Sequence, residues 1–297
     1  MSARRQLIVS ADDFGMSRGV NAAIMRAHRE GVLTQVSLMV RGRAAAEAVE
    51  LARSTPSLSV GLHLTLVQGY SAAPSGAVPL LAGADGRLRR DPVWAGMRYF
   101  FTPGARRQIE REVVAQLEAF AATGLQLSHV DGHLTIHMHP IVLGVLLDVA
   151  TRYRIRAIRL SGDPLVPALR WDGRHLGRKL FEAGVFGGLS RWALPHVRRA
   201  GLRYPDRVYG MHQSGHVSED YWSYLLPDLP PGVSEVYCHP AVLDDEAQQW
   251  RPAEYAGDAE LTALCSPRLR AALDAAGIER ISYRDLVEPR QKSGRNS

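Results

Sequence analysis

The sequence predicts an α/β fold, a TIM-like barrel of about seven parallel strands, distorted or incomplete. Three observations predict it. Short apolar runs alternate with amphipathic segments in seven or eight strand-helix units. No linker, internal repeat or low-complexity block divides the 297 residues. The residues best suited to chemistry fall at the carboxyl ends of the apolar runs, where a parallel barrel builds its active site. One domain is therefore expected over 1–288, with 289–297 a polar, disordered tail.

Taken in order, Gln6 to Ser10 is a strand that runs into the polar turn Asp12-Asp13-Phe14-Gly15. The following helix repeats Val20, Ala23, Ile24 and Ala27 at spacings of three and four, with Ser17 as cap and Gly31 as stop. Val36–Val40 is the second strand and Ala44–Arg53 an Ala-rich helix. Leu58–Leu66 alternates, so His63 shares a face with Gly61 and Thr65. Val67 to Gly104 is expected to be a long irregular segment, a lid by its length. A helix from Arg106 to about Thr123 stripes Ile109, Val113, Leu117 and Phe120. The His-rich run 129–140 begins as a strand, and Pro140 opens an apolar helix. Ala157–Leu160, Arg207–Gly210 and Ser234–Cys238 are further strands. The basic region from Asp163 to about Gly201 is partly helical, and Ala259–Ala275 is one late helix before the short run 280–283.

Composition narrows the class. Hydrophobic residues make up 46% and charged residues 22%, as in soluble enzymes. No apolar run approaches the ~20 residues a membrane span needs. The apolar run 7–9 is too short for a signal peptide, which predicts a cytoplasmic protein. Cys238 and Cys265 fit no zinc or disulfide pattern. A net charge of +6 favours acidic partners or an anionic membrane surface, and no nucleic-acid-binding motif accompanies it.

Four of the eleven histidines lie in the 129–139 run, which makes a metal site the first hypothesis and a solvated polar loop the alternative. Asp12, Asp13, His63, Asp131, His133, Arg159 and His239 all fall at or near strand carboxyl ends. Scattered surface residues would not share that phasing. Leu134 after His133 excludes a His-Glu-x-x-His site, and no nucleophile-elbow or P-loop sequence occurs.

Ala11-Asp12-Asp13-Phe14-Gly15, Gly61-Leu62-His63-Leu64, His129-Val130-Asp131-Gly132-His133 with His137, and Cys238-His239-Pro240 together resemble the motifs of YdjC-like carbohydrate deacetylases. The resemblance runs from about Leu7 to Leu286. The wording around 31–40 and 97–101 is most similar to the hopanoid-associated branch, which implies an N-acetylglucosamine unit carried on a hopanoid lipid. A soluble chitooligosaccharide substrate, or a non-catalytic sugar- or lipid-binding role, are the other readings.

The resemblance implies one divalent metal ion, magnesium or zinc, on Asp13, His63 and His133, a carboxylate-and-two-imidazole set suited to hydrolysis. It makes Asp12 the general base and His239 the general acid, the alternatives being that one of the two aspartates caps the helix near Ser17 or balances an arginine and that His239 merely ends its strand beside Pro240. Adjacent strand residues point to opposite faces, so both aspartates serve one site only if the strand bends there. Asp131 is expected to support a ligand imidazole, Arg159 to orient Asp12 or bind a sugar hydroxyl, and His137 to compete for a ligand role or face substrate; structural ion pairs are the alternative for Asp131 and Arg159. Trp94, Met97, Phe100 and Phe101 with Arg98, Arg106 and Arg107 are either core or a peripheral contact with the inner membrane.

Overall fold

The structure, a computed structural model, describes residues 4–288; the expected disordered tail lies outside them. Seven strands form one parallel sheet: β1 (Arg5–Phe14), β2 (Gln35–Leu38), β3 (Ser59–Leu64), β4 (Leu127–Gly132), β5 (Arg207–Tyr209), β6 (Gly232–Cys238) and β7 (Glu279–Ile281). Their order is β4-β3-β2-β1-β6-β5, with β7 paired to β1. β6 covers one edge of β1 over residues 5–11; β7 and then β2 share the other. Strands buried on both faces have to be apolar throughout, which explains why these runs are short and Val/Ile/Leu-rich.

The predicted strand 157–160 is reduced to single bridges. Val130 donates to the Ala157 carbonyl at 3.1 Å, and Ile158 to the Arg203 carbonyl at 2.9 Å. Those bonds carry the pairing from β4 round to the chain that enters β5, and the sheet curls into the distorted barrel the sequence predicts.

The helices are α1 (Arg18–Glu30), α2 (Ala45–Arg53), α3 (Pro92–Phe101), α4 (Ala105–Ala122), α5 (Pro140–Val149), α6 (Leu165–Trp171), α7 (Leu176–Arg199), α8 (Glu219–Leu225), α9 (Asp245–Trp250), α10 (Gly257–Leu264), α11 (Pro267–Ala275) and α12 (Tyr283–Val287). α1 begins as expected, with the Ser17 hydroxyl accepting from Val20 N–H.

Three expectations need correction. The segment 67–104 is not irregular throughout: Asp91 caps the Trp94 N–H and Pro92 starts α3, an opening that an aromatic run without clear periodicity hides. The single late helix is two, because Pro267 cannot continue α10; Ser266 instead caps α11 through Arg268 and Leu269 N–H. The core reading of the aromatic patch also fails. Trp94, Met97, Phe100 and Phe101 are exposed on α3, and only Ala95 and Tyr99 are buried.

Candidate active site

The site starts from a bend in β1. Asp13 has φ 67°, a left-handed conformation that Asp tolerates better than most residues, and the β1–β2 register shifts between Ala11 and Phe14. This bulge turns Asp13 toward the side that Asp12 faces. Neither carboxylate caps α1, since Ser17 does so.

Register brings the next groups in. His63 pairs with Asp131 across β3 and β4, so the two side chains share a face, and His63 Nδ1 lies 2.8 Å from Asp131 Oδ1. Its Nε2 points at Asp13 Oδ1, 3.4 Å away. His133 opens a short 3-10 turn, 133–138, kinked by left-handed Leu134 and Thr135. That turn aims His133 Nδ1 at the same Asp13 oxygen, 3.0 Å away. One oxygen or nitrogen from each of Asp13, His63 and His133 lies within 4.8 Å of the others, all buried.

Asp12 stands beside them, held by a guanidinium. Arg159 Nη1 and Nη2 reach its two oxygens at 2.7 and 2.9 Å, and the Ser37 hydroxyl donates at 3.2 Å. Arg159 also pairs with Asp131 at 2.9 Å and Glu235 at 2.8 Å, and lies over the Tyr237 ring. Three carboxylates hold it well above the usual arginine range despite burial. Glu235 is in turn bonded by Ser10 and Tyr283 hydroxyls, each at 2.7 Å.

The pairing of Ala11 with Cys238 sets Asp12 and His239 side by side one residue further on. His239 packs edge-on to Tyr237 and against Tyr255. Its backbone N–H donates to Glu260, and burial brings its imidazole down to about 4. His137 is not among the convergent donors: its Nε2 bonds the Arg159 carbonyl at 2.9 Å, tying the turn to the next segment. His129 is deeper still, stacked on Tyr283 at 4.2 Å. His139 instead caps α5.

The donor set fits a divalent cation on two grounds. Among the described residues, Asp12, Asp13, Asp131 and Glu235 face two buried guanidiniums, Arg159 and Arg251, so negative charge is in excess. Buried His133 Nε2 has no hydrogen-bond partner among the described residues, and neither does His239 Nδ1. Burial opposes protonation of His63, but Asp131 and Asp13 outweigh it and raise it to about 10. An unmetallated site therefore keeps a proton where a cation would sit.

Sequence reasoning missed Arg251, Glu235 and Tyr283. Arg251, from the end of α9, reaches the His239 carbonyl at 2.7 Å and Asp13 Oδ2 at 3.5 Å, and nothing local in its sequence marks it. Glu235 had a signal: an acid inside an otherwise apolar strand needs a buried partner.

A barrel carrying a carboxylate-imidazole cluster at its strand ends defines the class of barrel hydrolases with a candidate metal centre. The YdjC-like protein family model matches residues 6–275, and the chain belongs to that family. It is 33% identical to a carbohydrate deacetylase of Geobacillus stearothermophilus over 96% of this chain and 99% of the relative. A carbohydrate deacetylase of Brevibacillus brevis is 45% identical over half of this chain and 57% of its own. A crystal structure from Enterococcus faecalis V583, described as a candidate cellobiose-phosphate cleavage protein, superposes with a TM-score of 0.74 at 25% identity, covering 96% of this chain and all of that one. With these relatives, the chain is a hydrolase of the deacetylase class.

Proposed function

We propose that the protein removes the N-acetyl group from an N-acetylglucosamine-type sugar, carried on a hopanoid glycolipid, releasing acetate and a free amine. The observation that carries the hydrolytic reading is the convergence of Asp13, His63 and His133 beside an Asp12 gripped by Arg159. Asp13, His63 and His133 would hold one divalent ion, magnesium or zinc, supplying Lewis acidity to the acetamide carbonyl and to an attacking water.

The chain's own residues do the rest. Asp12, fixed by Arg159, takes the proton from the attacking water. Asp131 fixes the His63 ring through Nδ1, leaving Nε2 for the ion. His239 is neutral near pH 7, so the proton it delivers to the departing amine is the one Asp12 takes from the water, passed on to the imidazole as the C–N bond breaks. Buried His137 supports the Arg159 backbone from behind.

The lipid-linked substrate draws on the similarity to the hopanoid-associated branch and on the exposed aromatic helix α3. The relatives' name, carbohydrate deacetylase, carries no lipid, and the second reading is a soluble chitooligosaccharide. Acetate release from a glycolipid and from chitobiose, with and without added metal, tests both. Activity on the soluble sugar alone removes the lipid reading. Retention of metal and activity by His133→Ala removes the proposed site.

A further inference from the structure

Five of the ten residues of α3 are large, apolar and exposed: Val93, Trp94, Met97, Phe100 and Phe101, each at least 50% accessible. A folded surface rarely leaves such a run bare unless something covers it. α7 shows a second one. Its core side carries Lys179, Ala193 and Val197, whereas Leu176, Leu180, Phe181 and Trp192 are exposed. The two helices flank one structure, since α3 and α7 both pack against the 133–138 turn and against α5. Between them that turn exposes Leu134, the residue after His133.

Charge identifies the occupant. From Pro92 to Ile109 there are three arginines and no acid; from Pro164 to Ala200, leaving out buried Lys179, there are six basic residues and two acidic, a net +4. A two-fold interface between copies of the chain would bring these like charges together, whereas anionic headgroups complement them while acyl chains take the aromatic tips. We propose that α3, the Leu134 turn and α7 form one face that seats the enzyme on an anionic bilayer, next to the turn that carries His133. This rests on the lipid-linked reading of the substrate and names where that lipid is met.

The test is sedimentation of the full-length protein with phosphatidylcholine vesicles, either pure or containing 30% phosphatidylglycerol. Anionic vesicles are expected to bind at least tenfold more tightly than neutral ones. Phe101→Glu and Phe181→Glu should each weaken that binding at least tenfold, with thermal melting unchanged because both side chains are exposed. Equal binding by wild type and both variants overturns the proposal, as does a stable dimer that the same variants dissociate. Glycolipid-bearing vesicles separate the two readings. Vesicle binding without acetate release ends the lipid-linked substrate and leaves the surface standing, whereas release without binding ends the surface.

Discussion

Arg159 holds Asp12 by a two-point fork, Nη1 to Oδ2 at 2.7 Å and Nη2 to Oδ1 at 2.9 Å, in a place where neither group meets solvent. A planar guanidinium can do this and a lysine cannot, because an ammonium is a single point charge. The fork fixes the Asp12 carboxylate with an oxygen within 4.8 Å of a His63 ring nitrogen.

Arg159→Lys is expected to lower kcat by about 10²-fold or more with little change in metal content, since the base loses its orientation and the donors do not. Metal analysis alongside steady-state kinetics checks this. Arg159→Met should cost about 3–5 kcal/mol in urea unfolding, because Asp12, Asp131 and Glu235 are left buried without their shared cation. Equal stability of Arg159→Met and wild type would show that the three carboxylates do not depend on it.

Asp131→Asn keeps the size of the group beside His63 and removes its charge. Metal affinity should fall about 10- to 100-fold, the usual cost of losing the carboxylate that orients a ligand imidazole. Titration of the metal-free protein measures it, and an unchanged affinity would separate Asp131 from the metal site.

Metal uptake should also release protons. His63 keeps its proton up to about 10, so near pH 8 a cation binding through Nε2 displaces about one. Affinity should then rise about tenfold per pH unit between pH 7 and 9, and calorimetry in buffers of different ionisation enthalpy reads the proton directly. A pH-independent affinity would mean that His63 is not displaced.

Glu260 gives a stability signature of its own. Burial raises its folded carboxyl to about 7 against 4.5 for the free side chain, although Val217 and His239 N–H groups pull the other way. Between those values the folded chain binds the extra proton, so this residue's contribution is full below about 4.5, declines as pH rises to about 7 and is level above. The decline is about 3 kcal/mol from the linkage relation. Glu260→Gln should flatten that part of the stability curve, and parallel slopes for variant and wild type would reject the assignment.

Gly61 marks the tightest packing beneath the site. A Cβ there would lie 1.9 Å from His129 Nδ1 and 2.8 Å from the His129 carbonyl. Gly61→Ala should therefore cost about 1–3 kcal/mol, read by urea unfolding, as β3 and β4 are forced apart.

The sequence by itself determined the barrel class and the strand positions of Asp12, Asp13, His63, Asp131, His133 and His239, and left His137 competing for a ligand role until the structure put its Nε2 on the Arg159 carbonyl. Those follow from local pattern: two-residue alternation, caps, glycine stops and residue types suited to metals. Where regularity is short or interrupted, pattern fails, as with α3 behind Asp91 and Pro92 or the break at Pro267. Only the tertiary structure decided that Asp13 turns at φ 67° to share a face with Asp12, because a bulge is set by pairing with β2. It alone brought Glu235, Arg251 and Tyr283 to the site: Glu235 meets Arg159 across 76 residues and Arg251 meets Asp13 across 238, and buried charge balance is a property of groups in space rather than of local sequence.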